Sequence, residues 1–342
     1  MKRILILLLM SILALGELHA QTKPAERMSV KIGVGGRAIM PFLQIDLAKA
    51  LGYYEDENLD VEILYLQSAP TTLAALLAGQ IDFSGNGVGE VVNSTLAGKP
   101  AVMVTSFTYN PGMVIAVDAD QKDQIRTVAD LKGKKLGVSS LRSGSHLLIN
   151  AVLANSGLKE GDVTLVVIGT DTAPAALKAR QIDALALYDP FATILKNEGR
   201  IVWILDLAST AEVRKYLGGD YQFTGLLTTS ATVQAKPELV QRVVNALYRT
   251  CQFIAKSSTS QIAAATPAEA KGGNPAAFQQ ALEHLKGSFA PECTPTLAGV
   301  KNSIAAEVTA KFRTQDEVSK IDPAKIINVE FVKAAAQRNA GR

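Results

Sequence analysis

The chain has 342 residues, 48% of them hydrophobic and 20% charged, with 35 Lys and Arg against 32 Asp and Glu. That length holds about two domains with real cores, and the composition excludes collagen, coiled coil, a disulfide-stapled miniprotein and a disordered chain. A formal charge of +3 over this length excludes a nucleic-acid surface.

Lys2 and Arg3 precede an apolar run from Ile4 to Gly16, and the small residue Ala20 follows a short polar step. This is the layout of a secretory signal peptide over residues 1–20, too short for the ~20 apolar residues of a spanning helix. Cleavage after Ala20 or after Gly16 both fit, and the remaining chain is expected to be exported and soluble.

A strand over 30–35 leads through a loop to a helix from Pro41 that Gly52 ends. A second strand, Val61 to Leu66, precedes Ser68-Ala69-Pro70 and a helix carrying Leu73, Leu76 and Leu77. Gly79-Gln80-Ile81-Asp82-Phe83 then opens a third strand. Ala101 to Phe107 is a further strand, and Tyr109-Asn110-Pro111-Gly112 turns into Met113 to Val117. The first plan then repeats: strand 135–139, helix Ser145 to Ser156 capped by Gly157, strand 163–168, the turn Asp171-Thr172-Ala173-Pro174, a helix, and strand Ile182 to Leu187. Lys31-Ile32-Gly33-Val34 echoes as Lys135-Leu136-Gly137-Val138, and Gln80-Ile81-Asp82 as Gln181-Ile182-Asp183. Strands alternating with helices mean βαβ units and parallel sheets. Phe223 to Thr229 reads as a strand before a long helix from Pro237 to Lys256, and the tail is helices broken at Pro267, Gly272-Gly273, Pro291–Pro295 and Pro323.

These elements predict an α/β protein of two lobes, each a βαβ-built sheet flanked by helices. Lobe 1 takes residues 28–116 and 226–342, and lobe 2 takes 117–225. The chain crosses near 115–119 and 220–226, a two-strand hinge over a cleft. Cys251 lies on a helical apolar stripe with Val240, Val243, Val244, Leu247 and Ile254, which reads as core packing. An oxidising compartment would equally allow a bridge to Cys293.

Ligands in open α/β sheets bind beyond the carboxyl ends of the strands, here the loops 36–41, 67–71, 84–88, 139–146, 169–173 and 188–190. Ser143, Gly144, Ser145 and His146 stand at a helix start, where unpaired N–H groups and hydroxyls suit an anion. Capping by Ser143 or Ser145 uses the same hydroxyls. Gly36 and Arg37 offer a flexible approach and a fixed cation, and Ser68, Asn86 and Gly87 add neutral donors. Tyr188 and Asp189 supply an aromatic wall and a carboxylate that could grip an amine or cap the next helix. Tyr109 and Phe223, near the crossings, are candidate walls or core residues. Asp82 and Asp183 are expected to shape the turn into a strand. His146 and His284 stand far apart without metal-ligand spacing, and no nucleophile motif occurs. The loose dinucleotide fingerprint at Gly33–Ala38 lacks its acidic partner, so no cofactor, metal or catalytic residue is expected.

Lys31–Val34, the run Ser68-Ala69-Pro70 with Leu76-Leu77-Ala78-Gly79-Gln80-Ile81-Asp82-Phe83, Tyr188-Asp189-Pro190 and the ending Ile321-Asp322-Pro323 with Asn328-Val329-Glu330-Phe331-Val332 together resemble the solute-binding proteins of ABC importers. The nitrate, sulfonate and taurine type is the most similar group, one that includes binders of a thiamine pyrimidine precursor. Tyr188 stands where members often carry Trp, and the Cys-rich motif of the related pyrimidine-forming enzymes is absent. The resemblance implies a periplasmic-binding-protein fold of type II kind and a periplasmic monomer that is not an enzyme. Such a protein closes on a small organic anion such as a sulfonate or taurine and delivers it to an ABC permease with its ATPase. A sensor handing its closed form to a signalling receptor, a binder of a thiamine pyrimidine precursor, and an exported enzyme on the same fold are the alternatives.

Overall fold

Alternating apolar residues start the first sheet. In β1 (Met28–Val34) the side chains of Val30, Ile32 and Val34 are buried, and Ile32 lies beside Ile63 of the parallel β2 (Leu59–Tyr65) and Phe83 of the parallel β3 (Phe83–Gly87). The computed structural model describes residues 27–169 and 172–341; the segment 1–20, expected to be a signal peptide, and Asp171 of the expected turn lie outside them. Between the strands run α1 (Leu43–Ala50) and α2 (Ala69–Leu77), and α3 (Val88–Leu96) follows β3.

β4 (Ala101–Thr108) belongs to this sheet and β5 (Met113–Asp118) to the next. The second sheet repeats the first: β6 (Lys135–Val138), α4 (Gly144–Asn155), β7 (Thr164–Val167), α5 (Ala173–Lys178) and β8 (Ala184–Tyr188), then α6 (Phe191–Asn197), β9 (Ile201–Asp206) and α7 (Thr210–Leu217). β10 (Thr224–Thr229) returns to the first sheet. The orders are β2-β1-β3-β10-β4 and β7-β6-β8-β5-β9. In each, three parallel strands meet an antiparallel fourth that comes from the far side of a crossing.

The repeated aspartates do one job twice. Asp82 accepts from the Lys31 N–H at 3.0 Å while its own N–H donates to the Lys31 carbonyl. Asp183 makes the same pair of bonds with Lys135. Both carboxylates satisfy a backbone donor of the neighbouring strand, and neither lines the cavity described below.

One boundary expected from the sequence is corrected. Ile115 pairs with Ala186 and Leu205 of the second sheet, so the first crossing is Tyr109–Gly112, ahead of 115–119. Gly112 has φ +65, and a Cβ there would sit 2.6 Å from the Leu285 side chain, so both backbone and space call for glycine. The second crossing is 218–223, between α7 of lobe 2 and β10, and overlaps the expected 220–226. Buried Gln222 holds the crossings together, its amide donating to Ser106 Oγ, the Thr108 carbonyl and the Thr224 carbonyl.

The tail also departs from expectation, because it does not belong to lobe 1 alone. The stripe Leu239, Val240, Val243, Val244 and Leu247 of α8 (Pro237–Lys256) packs on the first sheet. α9 (Pro275–Leu285) buries Phe278, Ala281 and Leu282 against Met40, Leu43 and Leu47 of lobe 1 and also touches α6 of lobe 2. α10 (Leu297–Thr309) lies between α3 and α4, with Val300 and Ile304 in a lobe 1 cluster and Ala306 in the lobe 2 core. α11 (Glu330–Ala340) returns to α8. Among the described residues no helix is long and apolar enough to cross a membrane.

Cys251 of α8 and Cys293 form a disulfide across a separation of 42 residues, with Cα atoms 5.8 Å apart. Closing a loop of that length removes about 4 kcal/mol of unfolded-state entropy in the chain model. The Cys251→Ala, Cys293→Ala double variant is therefore expected to melt well below the wild type. Equal melting temperatures by calorimetry would refute a stabilising role for the bridge.

Candidate functional site

Between the sheets lies a cavity of about 780 Å³. Residues of both lobes and of the tail line it, and at one edge the Met40 N–H donates across the cleft to the Asp189 carbonyl at 3.3 Å. Of the residues singled out in the sequence, Gly36, Arg37, Ser68, Asn86, Gly87, Ser143, Gly144, Ser145, Tyr188, Asp189 and Phe223 line this cavity, and Tyr109 and His146 do not.

Three helices begin at its wall: α2 at Ala69, α3 at Val88 and Gly89, and α4 at Gly144 and Ser145. The first N–H groups of a helix have no intrahelical partner, and the dipole adds positive potential there. Each start is locally encoded. Ser68 caps α2 by accepting from the Thr71 N–H, and Ser143 caps α4 by accepting from the His146 N–H. Ser145 extends a hydroxyl chain to Ser143 and Ser139 at 2.9 and 3.1 Å. Capping and lining thus coexist on the same serines. The exposed Arg37 rests its guanidinium 3.9 Å above the Tyr65 ring. The rings of Tyr188 and Phe223 stack with centroids 6.1 Å apart.

Four expected roles are corrected by hydrogen bonding. Asn86 spends its amide donors on the Ala69 carbonyl and Ser84 Oγ, so it shapes the loop and offers the cavity no N–H. The Tyr109 hydroxyl donates to the Thr294 carbonyl and its backbone N–H to Ser288, which turns the ring toward the tail. His146 accepts from the Arg142 N–H at Nδ1 and packs edge-on against Phe312. Burial lowers its pKa, partly opposed by Glu160, so it is a neutral packing residue.

Asp189 is the fourth. Its carboxylate side chain is fully buried; one oxygen accepts from the Thr193 N–H of α6 and the other meets His284 Nδ1 at 2.7 Å. Both oxygens are committed, so the carboxylate has nothing left to grip a ligand amine. The other nitrogen of His284 meets Asp206 at 2.8 Å. Burial alone would lower the His284 pKa, but its bonds to Asp189 and Asp206 raise it to about 9. His284 is therefore an imidazolium that ties tail helix α9 to lobe 2.

Sequence reasoning missed two glutamates of the cavity. Glu90 accepts from the Gly87 N–H at 3.2 Å in the first turn of α3, and burial pushes it up to about 7. Glu307 of α10 is 2% exposed. Burial first, then the neighbouring Glu90, pushes it up to about 8 against Arg313 and Arg142. Glu90 reads in the sequence as an ordinary capping glutamate, and Glu307 lies in a tail helix with no local sign of a cleft. The pattern Gly87-Val88-Gly89-Glu90 did carry a hint: a Cβ on Gly89 would stand 2.9 Å from Glu307 Oε1, so that glycine opens the helix to the incoming carboxylate.

Comparison with known proteins places this geometry. The family profile described as "NMT1/THI5 like" matches residues 41–259. A Brucella abortus protein designated a binding protein is 27% identical over 199 residues, 58% of this chain and 58% of its own length; the chain thus spans a little over half of the curated relatives it matches. A solved structure from Bordetella bronchiseptica is 27% identical with a TM-score of 0.84, covering 91% of this chain and 98% of the other. The alkanesulfonate-binding protein SsuA of Xanthomonas axonopodis bound to MOPS is 23% identical with a TM-score of 0.71, covering 89% and 99%.

Proposed function

The chain belongs to the NMT1/THI5-like family and has the fold of periplasmic binding proteins, and from that premise we propose that it is the solute-binding component of an ABC importer. It captures a small organic anion between its lobes and presents the ligand-bound form to a membrane permease with its ATPase. It works as an exported periplasmic monomer and does no chemistry on its cargo. The observation that carries this reading is the convergence of three helix starts, from α2, α3 and α4, on one cavity of about 780 Å³ between the lobes. Oriented N–H groups of that kind hold a sulfonate or carboxylate without needing a basic pocket.

The mechanism follows from geometry. α2 and α3 belong to lobe 1 and α4 to lobe 2. A ligand that touches all three starts binds the approached lobes better than separated ones and shifts the population toward them. The crossings at 109–112 and 218–223 are the segments about which such closure turns. The MOPS carried by the Xanthomonas protein is a sulfonate, which supports trying sulfonates first.

A thermal-shift panel on the mature chain tests the reading, with alkanesulfonates, taurine, nitrate, sulfate, carboxylates and pyrimidines. A cognate anion at a hundred times its Kd adds about 2.7 kcal/mol, which raises the melting temperature by several degrees. The rise is expected to vanish in a Ser145→Asp variant, whose carboxylate would repel an anion at the start of α4. A panel in which only uncharged compounds stabilise the protein would overturn the anion.

A further inference from the structure

Glu307 and Glu90 are the cavity groups that an anion held at helix starts leaves without a role. Five charged side chains line the cavity: Arg37, Glu90, Asp189, Glu269 and Glu307. Asp189 is neutralised by His284. What remains is one exposed arginine, lying over Tyr65, against three glutamates. An anion alone would give neither Glu90 nor Glu307, which burial holds largely protonated, a partner of its own.

Glu307 is the informative member. Only 2% of it is exposed, it lines the cavity, and among the described residues its carboxylate takes part in no hydrogen bond or ion pair. A buried carboxyl without a partner is costly, and native structures supply one from protein, water or ligand. The groups that face it are Glu90 from α3, Arg142 from the loop before α4, Arg313 beyond the end of α10, and Tyr221. Tyr188 and Tyr221 in turn sense Glu90. Both tyrosines are held neutral by burial, and the two arginines only partly offset the Glu307 charge. The natural complement of this pair is a group with positive charge and several donors.

We propose that Glu307, with Glu90, receives a cationic nitrogen of the ligand, so that the captured solute is a zwitterion and its arrival expels a proton from the pair. This rests on the anion reading for where the other end of the solute lies. Two carboxyls sharing a site hold protons that each would lose in water. An ammonium beside them favours the ionised form, and the proton passes to solvent. Because both carboxyls take part, the release belongs to the pair and not to either residue alone.

The matched probes are taurine and 1-propanesulfonate, which differ only by an ammonium in place of a methyl. Equilibrium dialysis of the mature chain at pH 7.5 is expected to show taurine bound at least tenfold tighter. A pH-stat in unbuffered solution should register proton release with taurine and none with 1-propanesulfonate. Glu307→Gln should bring the two affinities together and abolish the release. Equal affinities in the wild type, proton uptake, or a Glu307→Gln variant that weakens both probes alike would overturn the proposal. Where neither sulfonate binds, n-propylamine at pH 8 decides. Stabilisation of the wild type but not of Glu307→Gln would keep the cation subsite and remove the anion reading, and no stabilisation would remove the subsite.

Discussion

The His284→Ala protein is expected to be less stable than the wild type by about 3–5 kcal/mol at pH 7, the loss found when one partner of a buried ion pair is removed. The cause is Asp189, whose fully buried carboxylate keeps the Thr193 N–H but loses its counter-charge. Asp206, about one-third exposed, turns toward water at little cost. Asp189→Asn in the same background should recover part of the loss, because an amide buried at that position carries no charge. The wild type has a matching pH signature. With the imidazolium raised from an ordinary 6.5 to about 9, its contribution is complete below pH 6.5 and disappears as pH rises through 9. Urea unfolding across pH 6 to 10 measures both. A His284→Ala protein as stable as the wild type, or one with an unchanged alkaline slope, would show that the link between α9 and lobe 2 contributes nothing.

That link also marks where sequence reading stops. The echo of Lys31–Val34 in Lys135–Val138 was legible because the chain repeats one device, an aspartate in the helix-to-strand turn just before β3 or β8 that pairs with the backbone of Lys31 or Lys135. The helix starts were legible because their signal is local, since Ser68 and Ser143 cap within three residues of themselves. The position of the first crossing was not. Met113 to Val117 is an apolar run that would pair equally well in either sheet, and its partners Ala184–Tyr188 and Ile201–Asp206 lie some 70 to 90 residues away. The tail failed for the same reason. Nothing near Glu307 or His284 says that α9 and α10 straddle both lobes. Asp189 at its Asp-Pro turn therefore looked free to meet a ligand, whereas a histidine 95 residues on takes its charge. The cleft could be located from the chain, but its charge balance could not.

Charge balance is what the second large effect measures. Glu307→Gln is expected to stabilise the ligand-free protein at pH 9 and to change it little at pH 5. A carboxyl raised from an ordinary 4.5 to about 8 binds its proton more tightly in the folded chain than in the unfolded one. Its contribution is therefore complete below pH 4.5 and is lost as pH rises through 8. At about 1.4 kcal/mol for each pH unit of displacement, the wild type loses on the order of 4 kcal/mol over that interval from this group. The amide of Gln matches the protonated carboxyl in shape and cannot ionise, so the variant escapes that loss. Glu90 keeps its own bond to the Gly87 N–H in the variant. Urea unfolding of both proteins at pH 5, 7 and 9 gives the comparison. The curves should cross, with the variant ahead on the alkaline side and a shallower slope throughout. A variant that is less stable than the wild type at pH 9 would mean that the Glu307 carboxylate has a partner in the folded protein, and that the acidic end of the cavity is already satisfied without a ligand.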